Sequence, residues 1–260
     1  MTASSIRFPA QRHEYLLQQL ARHGRVEAGR LADELGVSTE SIRKDLTLLE
    51  DRGLLRRVHG GAIPVGELTT EPAIQDRTSF GPEKRAIARA ALRHLPPAGG
   101  SMVVDAGSTT ALLAAQLPTD RGLLAYTNAL PVAQVLAQNP GIDLWTLGGA
   151  IRHQTLAAVG PNAVQQLASV NVDVAFLGTN GISFTRGLTT PDPAEAAVKT
   201  AMGQAAQRRI LLADHSKIGQ IRTHRHADLS DLDLLITDAG IDPTDQEKLT
   251  QAGITVEIAR

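Results

Sequence analysis

Apolar residues recur three or four positions apart in three short stretches near the N-terminus, a spacing that predicts three amphipathic helices. The residues are Tyr15, Leu16, Leu17 and Leu20 in the first stretch, Leu31 and Leu35 in the second, and Ile42, Leu46 and Leu49, with Leu48 beside them, in the third. Gly24 and Gly53 are placed to end the first and third helices, and the Ser38 hydroxyl is placed to cap the start of the third. Residues 54–62 alternate apolar and basic and end near a glycine pair, which predicts a β-hairpin. Three helices followed by a hairpin indicate a winged helix-turn-helix.

Beyond residue 80, apolar runs of strand length alternate with helix-like segments. Predicted strands cover residues 102–104, 123–126, 142–147, 172–177, 210–213 and 234–237, with a last edge strand at 254–258. Predicted helices cover residues 83–94, 109–117, 129–138, 161–169, 192–208 and 243–251. This alternation is typical of a parallel sheet with helices on both faces. The expected fold is therefore a small α+β winged helix-turn-helix domain followed by an α/β domain with a mostly parallel sheet.

A segment without helical periodicity separates these two patterns. Residues 64–72 contain two prolines, a glycine and two adjacent threonines, which is typical of a linker or an exposed strand. We therefore expect a first domain at residues 1–63, a linker at 64–80 and a second domain at 81–260. Residues 1–64 carry ten Lys and Arg against eight Asp and Glu, whereas residues 65–260 carry sixteen against nineteen. The charge difference between the two parts is mild.

Composition narrows the classes of protein that fit. The chain has 260 residues, of which 42% are hydrophobic and 20% charged, and its formal net charge is −1. This is a globular composition with no global attraction to nucleic acid, so any basic surface must be local. The absence of cysteine excludes disulfides, cysteine nucleophiles, zinc fingers and iron–sulfur sites. No apolar run is long enough to span a bilayer and no signal peptide is apparent, so we expect a cytoplasmic protein that binds no membrane.

The face of the third predicted helix opposite its apolar positions is polar and basic. Short polar and cationic side chains near the start of a helix are what major-groove reading requires. The residues expected to meet double-stranded DNA from this helix are Ser38, Thr39, Glu40, Ser41, Arg43, Lys44 and Thr47. The hairpin residues expected to contact phosphate or the minor groove are Arg56, Arg57, His59 and Gly60. Any amphipathic surface helix also shows a polar outer face, so the pattern alone leaves that alternative open.

Residues 9–63 resemble the DNA-binding domain of the DeoR family of bacterial transcriptional regulators. The resemblance is carried by LADELGVSTESIRKDL at residues 31–46, LE at 49–50, GLL at 53–55 and RVHGGA at 57–62. The family usually has Thr at the position of Ser41 and Arg at the position of Lys44. Lys cannot make the bidentate contact that Arg makes, so this exchange bears on the operator that is preferred. The resemblance implies that the chain binds an operator in double-stranded DNA.

Polar and glycine-rich segments follow the predicted strands of the second domain. In a parallel sheet the carboxyl ends of the strands lie at one edge, where ligands bind. The candidate residues are Asp105, Gly107, Ser108, Thr109, Thr110, Thr127, Asn128, Gly148, Gly149, Asn180, Gly181, Glu195, Lys199, Asp214 and Lys217. The turn at 105–110 leads into a helix and suits an anion, although an ordinary capped turn has the same pattern. Glu195 and Lys199 also match a surface ion pair one helical turn apart.

Residues 82–240 resemble the sensor domain of the same family, which is similar in fold to ribose-5-phosphate isomerase and the acyl-CoA transferases. The matching strings are DAGSTT at 105–110, TN at 127–128, GG at 148–149, LGTNGI at 177–182, EAAVK at 195–199 and DHSK at 214–217. The resemblance implies a phosphorylated sugar or a related metabolite as effector. It implies that Ser108, Thr109 and Thr110 hold the phosphate, with Lys217 nearby. The residues it implies for sugar hydroxyls or the carbonyl are Asp105, Asn128, Asn180, Glu195 and Lys199.

The stretch GLTTPDPAEAAVK at residues 187–199 is similar to family members that sense phosphorylated fructose. A sugar-phosphate isomerase is the alternative to a sensor. The related isomerase uses carboxylates in the loop where this chain has GTNG at residues 178–181, and neither Thr nor Asn can act as a carboxylate base or acid. Glu195 as a base, with Lys199 or Lys217 polarising a carbonyl, keeps this alternative open.

His224 and His226, with Arg225 between them and His215 nearby, raise the question of a metal site. Their spacing fits no ligand pair on a helix face, so we interpret this stretch as a polar loop. We expect no metal, no cofactor and no enzyme activity. The prediction is a homo-oligomeric repressor of a carbohydrate-utilisation operon, controlled by a phosphorylated sugar, whose winged domains shift through the linker when the effector binds.

Overall fold

The computed structural model of the chain describes residues 9–23, 25–52, 54–58, 60–64 and 68–260. The chain divides into two compact units, Met1–Thr70 and Glu71–Arg260. The division between the two units falls inside the predicted linker. Three residues with a predicted role, Gly24, Gly53 and His59, lie outside the described residues.

The N-terminal unit is a winged helix-turn-helix. Its elements are α1 (Pro9–His23), β1 (Val26–Glu27), α2 (Ala28–Leu35), α3 (Thr39–Asp51), β2 (Leu55–Val58) and β3 (Gly61–Pro64). The strands form an antiparallel sheet in the order β1-β3-β2, in which β2 and β3 are the predicted hairpin. Its short edge strand β1 was not predicted, because two residues are too few to show an alternating pattern. The three predicted helices are confirmed.

The predicted apolar positions form the core of this unit. Those buried together are Leu16, Leu20, Leu31, Leu35, Ile42, Leu46 and Leu49. Leu48 is the exception, with 40% of its surface exposed, because two residues turn a helix by about 200° away from Leu46. Gly36 ends α2 with φ 63°, a left-handed conformation that glycine adopts without steric cost and that turns the chain toward α3.

The C-terminal unit is built on a seven-stranded sheet. Its elements are α4 (Gly81–Ala91), β4 (Ser101–Val104), α5 (Ser108–Ala114), β5 (Leu123–Thr127), α6 (Leu130–Leu136), β6 (Ile142–Thr146), β7 (Ala150–Arg152), β8 (Ala157–Val159), α7 (Pro161–Ala168), β9 (Val172–Leu177), β10 (Gly181–Ser183), β11 (Gly187–Thr190), α8 (Pro193–Gln204), β12 (Ala206–Leu212), β13 (His224–Ala227), β14 (Leu234–Asp238), α9 (Pro243–Gln251) and β15 (Thr255–Ala259). The sheet order is β15-β14-β12-β9-β4-β5-β6 and every pairing is parallel. The predicted α/β class is confirmed.

Helices cover both faces of this sheet because its strands are apolar on both sides. Met102 and Val104 of β4 belong to the apolar cluster that includes residues of α4, α5 and α6. Val103, which points the other way, belongs to the cluster that includes residues of α7, α8 and α9. The carboxyl ends of the strands therefore lie between two helical layers, at the edge that carries the candidate residues.

Short antiparallel strands lie outside the main sheet and were not predicted. Strands β7 and β8 form a hairpin, and β10, β11 and β13 form a three-stranded sheet in that order, with β11 in the middle. The interpretation of residues 224–226 as a loop was wrong, because this stretch is β13 and pairs with β11. The predicted helix at 192–208 was too long: α8 ends at Gln204, and residues 206–208 begin β12. Strands β7, β8, β10, β11 and β13 have three or four residues each, too few for a periodicity to be recognised in the sequence. Among the described residues, no helix combines the length and apolar character needed to cross a bilayer.

Candidate DNA-binding surface and effector site

Helix α3 presents a polar face because its apolar side is committed to the core. Ser38 caps the helix as predicted: its hydroxyl accepts a hydrogen bond from the Ser41 amide at 3.2 Å. Of the other predicted contact residues on the helix, Glu40, Arg43 and Lys44 are exposed and Thr39, Ser41 and Thr47 are half-buried. Arg43 lies 3.9 Å from Glu40, an exposed pair that leaves the guanidinium accessible.

The wing is attached to α3 by Arg57. The amide of Arg57 donates to Glu50 Oε1 at 2.7 Å, and its guanidinium donates to Thr47 Oγ1 at 2.7 Å. Thr47 in turn donates to the carbonyl of Arg43 at 2.9 Å, so its hydroxyl supports the wing. Gly60 is exposed with φ 78°, as the hairpin turn requires. For Arg56 the structure describes the backbone in β2 but not the side chain.

A buried carboxylate that sequence analysis missed holds α1 against α3. Asp45 Oδ1 accepts from Arg12 Nη2 at 3.1 Å and lies 2.9 Å from His13 Nε2. Burial by itself raises the pKa of Asp45, but the hydrogen bonds and charges of Arg12 and His13 outweigh it and leave the pKa below its usual value. The signal available in the sequence was an acidic residue at a position that follows the apolar face of α3, between Ile42 and Leu46.

In the sensor unit, Asp105 and Lys199 form a buried ion pair. The Lys199 ammonium donates to Asp105 Oδ2 and, at 3.1 Å, to the carbonyl of Gly178. The amide of Gly178 donates to Asp105 Oδ2 at 2.9 Å. These contacts join the end of β4, the end of β9 and the middle of α8. The alternative of a surface pair between Glu195 and Lys199 is therefore wrong, because both side chains are buried and each has its own partners.

Glu195 is enclosed by polar groups from the β7–β8 hairpin and from β11. Its carboxylate accepts from Arg152 Nη1 at 3.2 Å, from the hydroxyl of Thr155, and from Thr190 Oγ1 at 3.4 Å. Thr190 Oγ1 also donates to Asn180 Oδ1 at 2.9 Å. The predicted residues Glu195 and Asn180 are thus brought into one network through Thr190.

Glu71 and Arg152 extend this network and were not predicted. Asn180 Nδ2 donates to Glu71 Oε1 at 2.6 Å, and Arg152 Nη1 donates to Glu71 Oε2 at 2.6 Å. Burial raises the pKa of Glu71. The charges of Arg77 and Arg152 and the hydrogen bond from Asn180 lower it by more, so the pKa lies below its usual value. Burial lowers the pKa of Arg152, and the charges of Glu195 and Glu71 raise it to a net value above the usual one.

Lys84 adds a buried cation near Asp214 and Lys217. Its ammonium donates to the carbonyl of Arg77 at 3.1 Å. Burial lowers the pKa of Lys84, the charge of Asp214 opposes this, and the charges of Lys217 and Arg77 add to it. Asp214 is buried and accepts from the amide and hydroxyl of Ser216 at the start of the turn that carries Lys217. Two ammonium groups therefore share this part of the strand-end edge.

The hydroxyls of the turn after β4 differ in whether they are used inside the turn itself. Thr110 is fully buried and donates to the carbonyl of Gly107 at 3.0 Å, so its hydroxyl closes the turn. Ser108 is half-buried and Thr109 is 8% exposed at the start of α5. Thr127 has a similar internal role, since it is fully buried and donates to the carbonyl of Val104 at 2.7 Å.

Asn128 has one satisfied and one unsatisfied polar group. Its Nδ2 donates to the carbonyl of Ala158 at 3.0 Å, whereas its buried Oδ1 has no partner among the described residues. Gly148 and Gly149 are exposed in the turn after β6, and Gly148 donates its amide to Gln166 at 3.2 Å. Gly181 serves packing, because a Cβ there would lie 2.5 Å from the carbonyl oxygen of Gln220.

The histidines of β13 do not form a metal cluster. Within the described part of the chain, no group of three or more His, Cys, Asp or Glu side chains is arranged to hold a metal ion. His226 is buried with Nε2 3.1 Å from Thr179 Oγ1, and burial, with a smaller contribution from the Lys199 charge, holds its pKa well below the usual value. His226 is therefore neutral at physiological pH.

Sequence analysis missed Glu71, Arg77, Lys84 and Arg152 for a common reason. None of them follows a strand of the main sheet or lies in a periodic pattern: Glu71 and Arg77 belong to the predicted linker, Lys84 to an exposed-looking helix and Arg152 to a short hairpin. The one available signal was that Arg152 follows the glycine pair at 148–149 by three residues.

An exposed recognition helix with a wing, followed by an α/β unit with polar residues collected at the strand ends, defines a DNA-binding regulator with a sensor domain. The DeoR-like helix-turn-helix domain model matches residues 12–66, and the DeoR C terminal sensor domain model matches residues 80–239. The chain belongs to the DeoR family of transcriptional regulators. It is a transcriptional regulator.

Two curated relatives extend along nearly the whole chain. The HTH-type transcriptional regulator GlpR of Haloferax volcanii is 38% identical over 249 residues, which cover 95% of this chain and 97% of that protein. The putative aga operon transcriptional repressor of Escherichia coli O157:H7 is 33% identical, covering 95% and 93%. Among solved structures, ribose 5-phosphate isomerase A of Methanocaldococcus jannaschii overlaps 54% of this chain and 55% of its own, with 20% identity and a TM-score of 0.39.

Proposed function

We propose that this regulator is a repressor of a carbohydrate-utilisation operon and that a phosphorylated sugar, with fructose phosphates as the first candidates, controls its binding to DNA. The proposal also includes a homo-oligomer, because a two-fold dimer places two recognition helices about one helical turn of DNA apart. A relative that is named as a repressor supports the sign of the control. The resemblance of residues 187–199 to fructose-phosphate sensors supports the choice of sugar.

The observation that carries the proposal is the pair of ammonium groups, Lys84 and Lys217, at the edge of the sheet where the strands end. Lys84 is buried, its ammonium donates to the neutral carbonyl of Arg77, and the charges of Lys217 and Arg77 counteract those of Asp214 and Glu83 around it. A buried ammonium with so little compensation is stabilised by an anion. Phosphate supplies that charge, and Ser108 and Thr109 supply hydroxyls at the same edge.

The remaining groups suit the uncharged part of a sugar. Asn128 Oδ1 is a buried acceptor without a partner among the described residues, and a ligand hydroxyl would satisfy it. Asn180, Thr190 and Glu195 form a connected set of donors and acceptors that matches an array of hydroxyls. Such a network rejects ligands that leave its polar groups unpaired, which gives specificity for one sugar.

On the DNA-binding unit, we propose that Ser38, Thr39, Glu40, Ser41, Arg43, Lys44 and Thr47 lie toward the major groove, with Arg56, Arg57, His59 and Gly60 toward the backbone or minor groove. Arg43 is the foremost candidate for base reading, because it is exposed near the start of α3 and its fork fits guanine. Thr47 acts through Arg57, which it positions on the wing.

The first test is a thermal-shift screen with fructose 1-phosphate, fructose 6-phosphate, ribose 5-phosphate and glycerol 3-phosphate beside their unphosphorylated parents. A ligand at 100 times its Kd stabilises the native state by about 2.7 kcal/mol, enough to detect. Stabilisation by one phosphorylated compound alone identifies the effector. No stabilisation by any of them contradicts a sugar-phosphate effector of this panel.

Two variants then separate the two roles. Lys217→Ala is expected to raise the Kd for the phosphorylated ligand and leave the affinity for a DNA duplex selected by the wild-type protein unchanged. Arg43→Ala is expected to do the reverse, with a loss of about 1–3 kcal/mol of discrimination at one base pair. Arg225→Ala, which removes a cation that is as exposed as Arg43 and is paired with Asp228, is the charge-matched control for both. If Lys217→Ala binds the ligand as wild type does, Lys217 has no part in the site.

Isomerase activity is not favoured, because the family models and the relatives are those of regulators. Glu195, the one candidate base, also has its carboxylate occupied by Arg152, Thr155 and Thr190. Incubation with pentose and hexose phosphates is expected to give no isomerised product. Turnover that disappears in Glu195→Ala would overturn this assignment.

A further inference from the structure

Glu71 has its side chain buried inside the sensor unit, although it is the first residue after the DNA-binding unit in the chain. Its side chain is 1% exposed. Three donors from separate parts of the unit contact its carboxylate: the guanidinium of Arg77, Arg152 Nη1 at 2.6 Å and Asn180 Nδ2 at 2.6 Å. Three such donors hold the Glu71 carboxylate in the way that they would hold a free anionic ligand.

Apart from Glu71, the segment at 71–80 is held by a few polar contacts and by the ring of Phe80, which meets His215 edge-on with 5.1 Å between ring centroids. The amide of Ile74 donates to the carbonyl of Gln154 at 2.6 Å, and Lys84 donates to the carbonyl of Arg77 at 3.1 Å. The side chains at 72, 75, 76, 78 and 79 are exposed. No residue between 71 and 80 belongs to the apolar clusters of the unit. Glu71 is therefore the deepest attachment of this segment.

The donors that hold Glu71 belong to the network proposed for the sugar. Asn180 accepts a hydrogen bond from Thr190 through Oδ1 and donates one to Glu71 through Nδ2. Arg152 donates from one nitrogen, Nη1, to both Glu71 and Glu195. Arg152 would keep a balanced charge without Glu71, because Glu195 and Asp192 remain within 3.2 and 3.4 Å of its guanidinium. The Glu71 position can therefore be vacated without leaving a buried charge unpaired.

We propose that Arg152 and Asn180 form a subsite for the oxygen-rich end of the effector, its hydroxyls or an acid group, and that Glu71 is the tethered competitor for this subsite. The effector and the Glu71 carboxylate cannot occupy this subsite at the same time. Binding of the effector therefore releases the segment at 71–80, which leads directly from the DNA-binding unit. This inference rests on the proposed function and names a residue set, Glu71, Arg152 and Asn180, that the predicted effector site contained only in part.

Competition has a definite thermodynamic sign. A ligand that binds only when Glu71 has left has an apparent Kd equal to its intrinsic Kd divided by the fraction of molecules with Glu71 released. If that fraction is about one tenth, removal of the carboxylate tightens binding about tenfold. By reciprocity, bound effector excludes Glu71 from its position. A Glu71 with a merely structural role would have the opposite effect, because its loss would loosen the site.

The test is isothermal titration of the full chain with fructose 1-phosphate and the other three sugar phosphates named above. The variants are Glu71→Ala, Glu71→Gln and the control Asp76→Asn, which removes an equal charge from an exposed side chain of the same segment. We expect Glu71→Ala to lower the Kd about tenfold or more, Glu71→Gln to lower it less because its amide oxygen still accepts hydrogen bonds, and Asp76→Asn to leave it unchanged.

The outcomes separate the two proposals. Wild type that binds, with Glu71 variants that bind equally or more weakly, overturns the competition and leaves the sugar-phosphate effector standing. Absence of binding by wild type and by both Glu71 variants refutes the sugar-phosphate effector, and the competition with it. Binding that emerges only in the Glu71 variants supports the competition but contradicts these compounds as effectors of the wild-type protein, in which Glu71 then masks the site.

Hydrogen exchange gives a second readout that does not depend on affinity. Saturating ligand is expected to speed exchange of the amides at 73–80 in wild type, and Glu71→Ala is expected to show fast exchange there without ligand. Slower exchange in this segment on ligand binding would contradict release of Glu71. The amides of β9 in the core of the sheet serve as the internal reference.

Discussion

The two units of this regulator hold their functional residues in opposite ways. On α3 the charged candidates Glu40, Arg43 and Lys44 are exposed, and the ion pair between the first two is long and solvated. At the strand ends of the sensor unit, Asp105, Glu195 and Lys199 are buried and each is held by several partners. One unit displays its charges, and the other encloses them.

The difference follows from the size of the ligand. DNA is larger than the domain that binds it, so its readers must protrude, and one face of a single helix can provide them. A small metabolite is surrounded, so its site draws residues from many elements and those residues must be satisfied in the ligand's absence. In the competition proposed above, Glu71 is the extreme case, because part of the chain itself occupies the site.

The largest effect is expected where a buried pair of the sensor unit is broken. Lys199→Met leaves the Asp105 carboxylate buried without its cation, which should cost about 3–5 kcal/mol of unfolding free energy. Urea unfolding followed by the fluorescence of Trp145, the only tryptophan and a residue of β6, reports on this unit alone. Arg225→Ala, which breaks an exposed pair with Asp228, should cost less than about 1 kcal/mol. Equal costs would remove the contrast between enclosed and displayed charges.

A smaller effect is expected at Asp45, a buried carboxylate that links α1 to α3 in the DNA-binding unit. Asp45→Asn keeps the shape but removes the charge that Arg12 and His13 share, with an expected cost of about 1–3 kcal/mol. Hydrogen exchange at the Leu46 and Leu49 amides measures it. Asp33→Asn, an exposed acid of α2, is the control, and a change in the Trp145 unfolding transition would show that the two units are not independent.

The helix cap is expected to contribute about 1 kcal/mol. Ser38→Ala removes the acceptor of the Ser41 amide and should speed exchange at the start of α3. Ser38→Asp restores an acceptor, yet places a negative charge where the DNA phosphates are proposed to approach. Stability that recovers while DNA affinity stays low would therefore separate capping from DNA contact, whereas full recovery of DNA affinity would remove Ser38 from the interface.

The smallest effect is a change in pH dependence at Glu71. Its pKa in the folded protein lies below the usual value of 4.5. A carboxyl with a lowered pKa contributes stability above about pH 4.5 and loses it as the pH falls through the folded-state pKa. Between pH 5 and 3, the unfolding free energy of wild type should therefore fall more steeply than that of Glu71→Gln. Parallel curves would mean that the charge of Glu71 contributes nothing to its attachment.

The DNA-binding unit was predicted almost completely because its information is local. The spacing of Ile42, Leu46 and Leu49 defines the buried face of α3, and the opposite face follows from the helical period. Leu48 was predicted to lie beside that buried face, but it is exposed in the structure. Asp45 escaped notice because its partners, Arg12 and His13, come from a helix more than thirty residues earlier.

For the sensor unit, the sequence predicted which residues follow the strands of the sheet. It thereby determined by itself which residues lie at the edge where the strands end. It also determined the two-domain order, the parallel sheet and the family. Only the tertiary structure decided which polar residues are partners, because the short strands β7, β10, β11 and β13 and the segment at 71–80 bring together residues that share no local pattern. Arg152 and Glu71 lie 81 positions apart and meet within hydrogen-bonding distance. Periodicity records which face of an element is buried, whereas a site built from several elements exists only once those elements have packed.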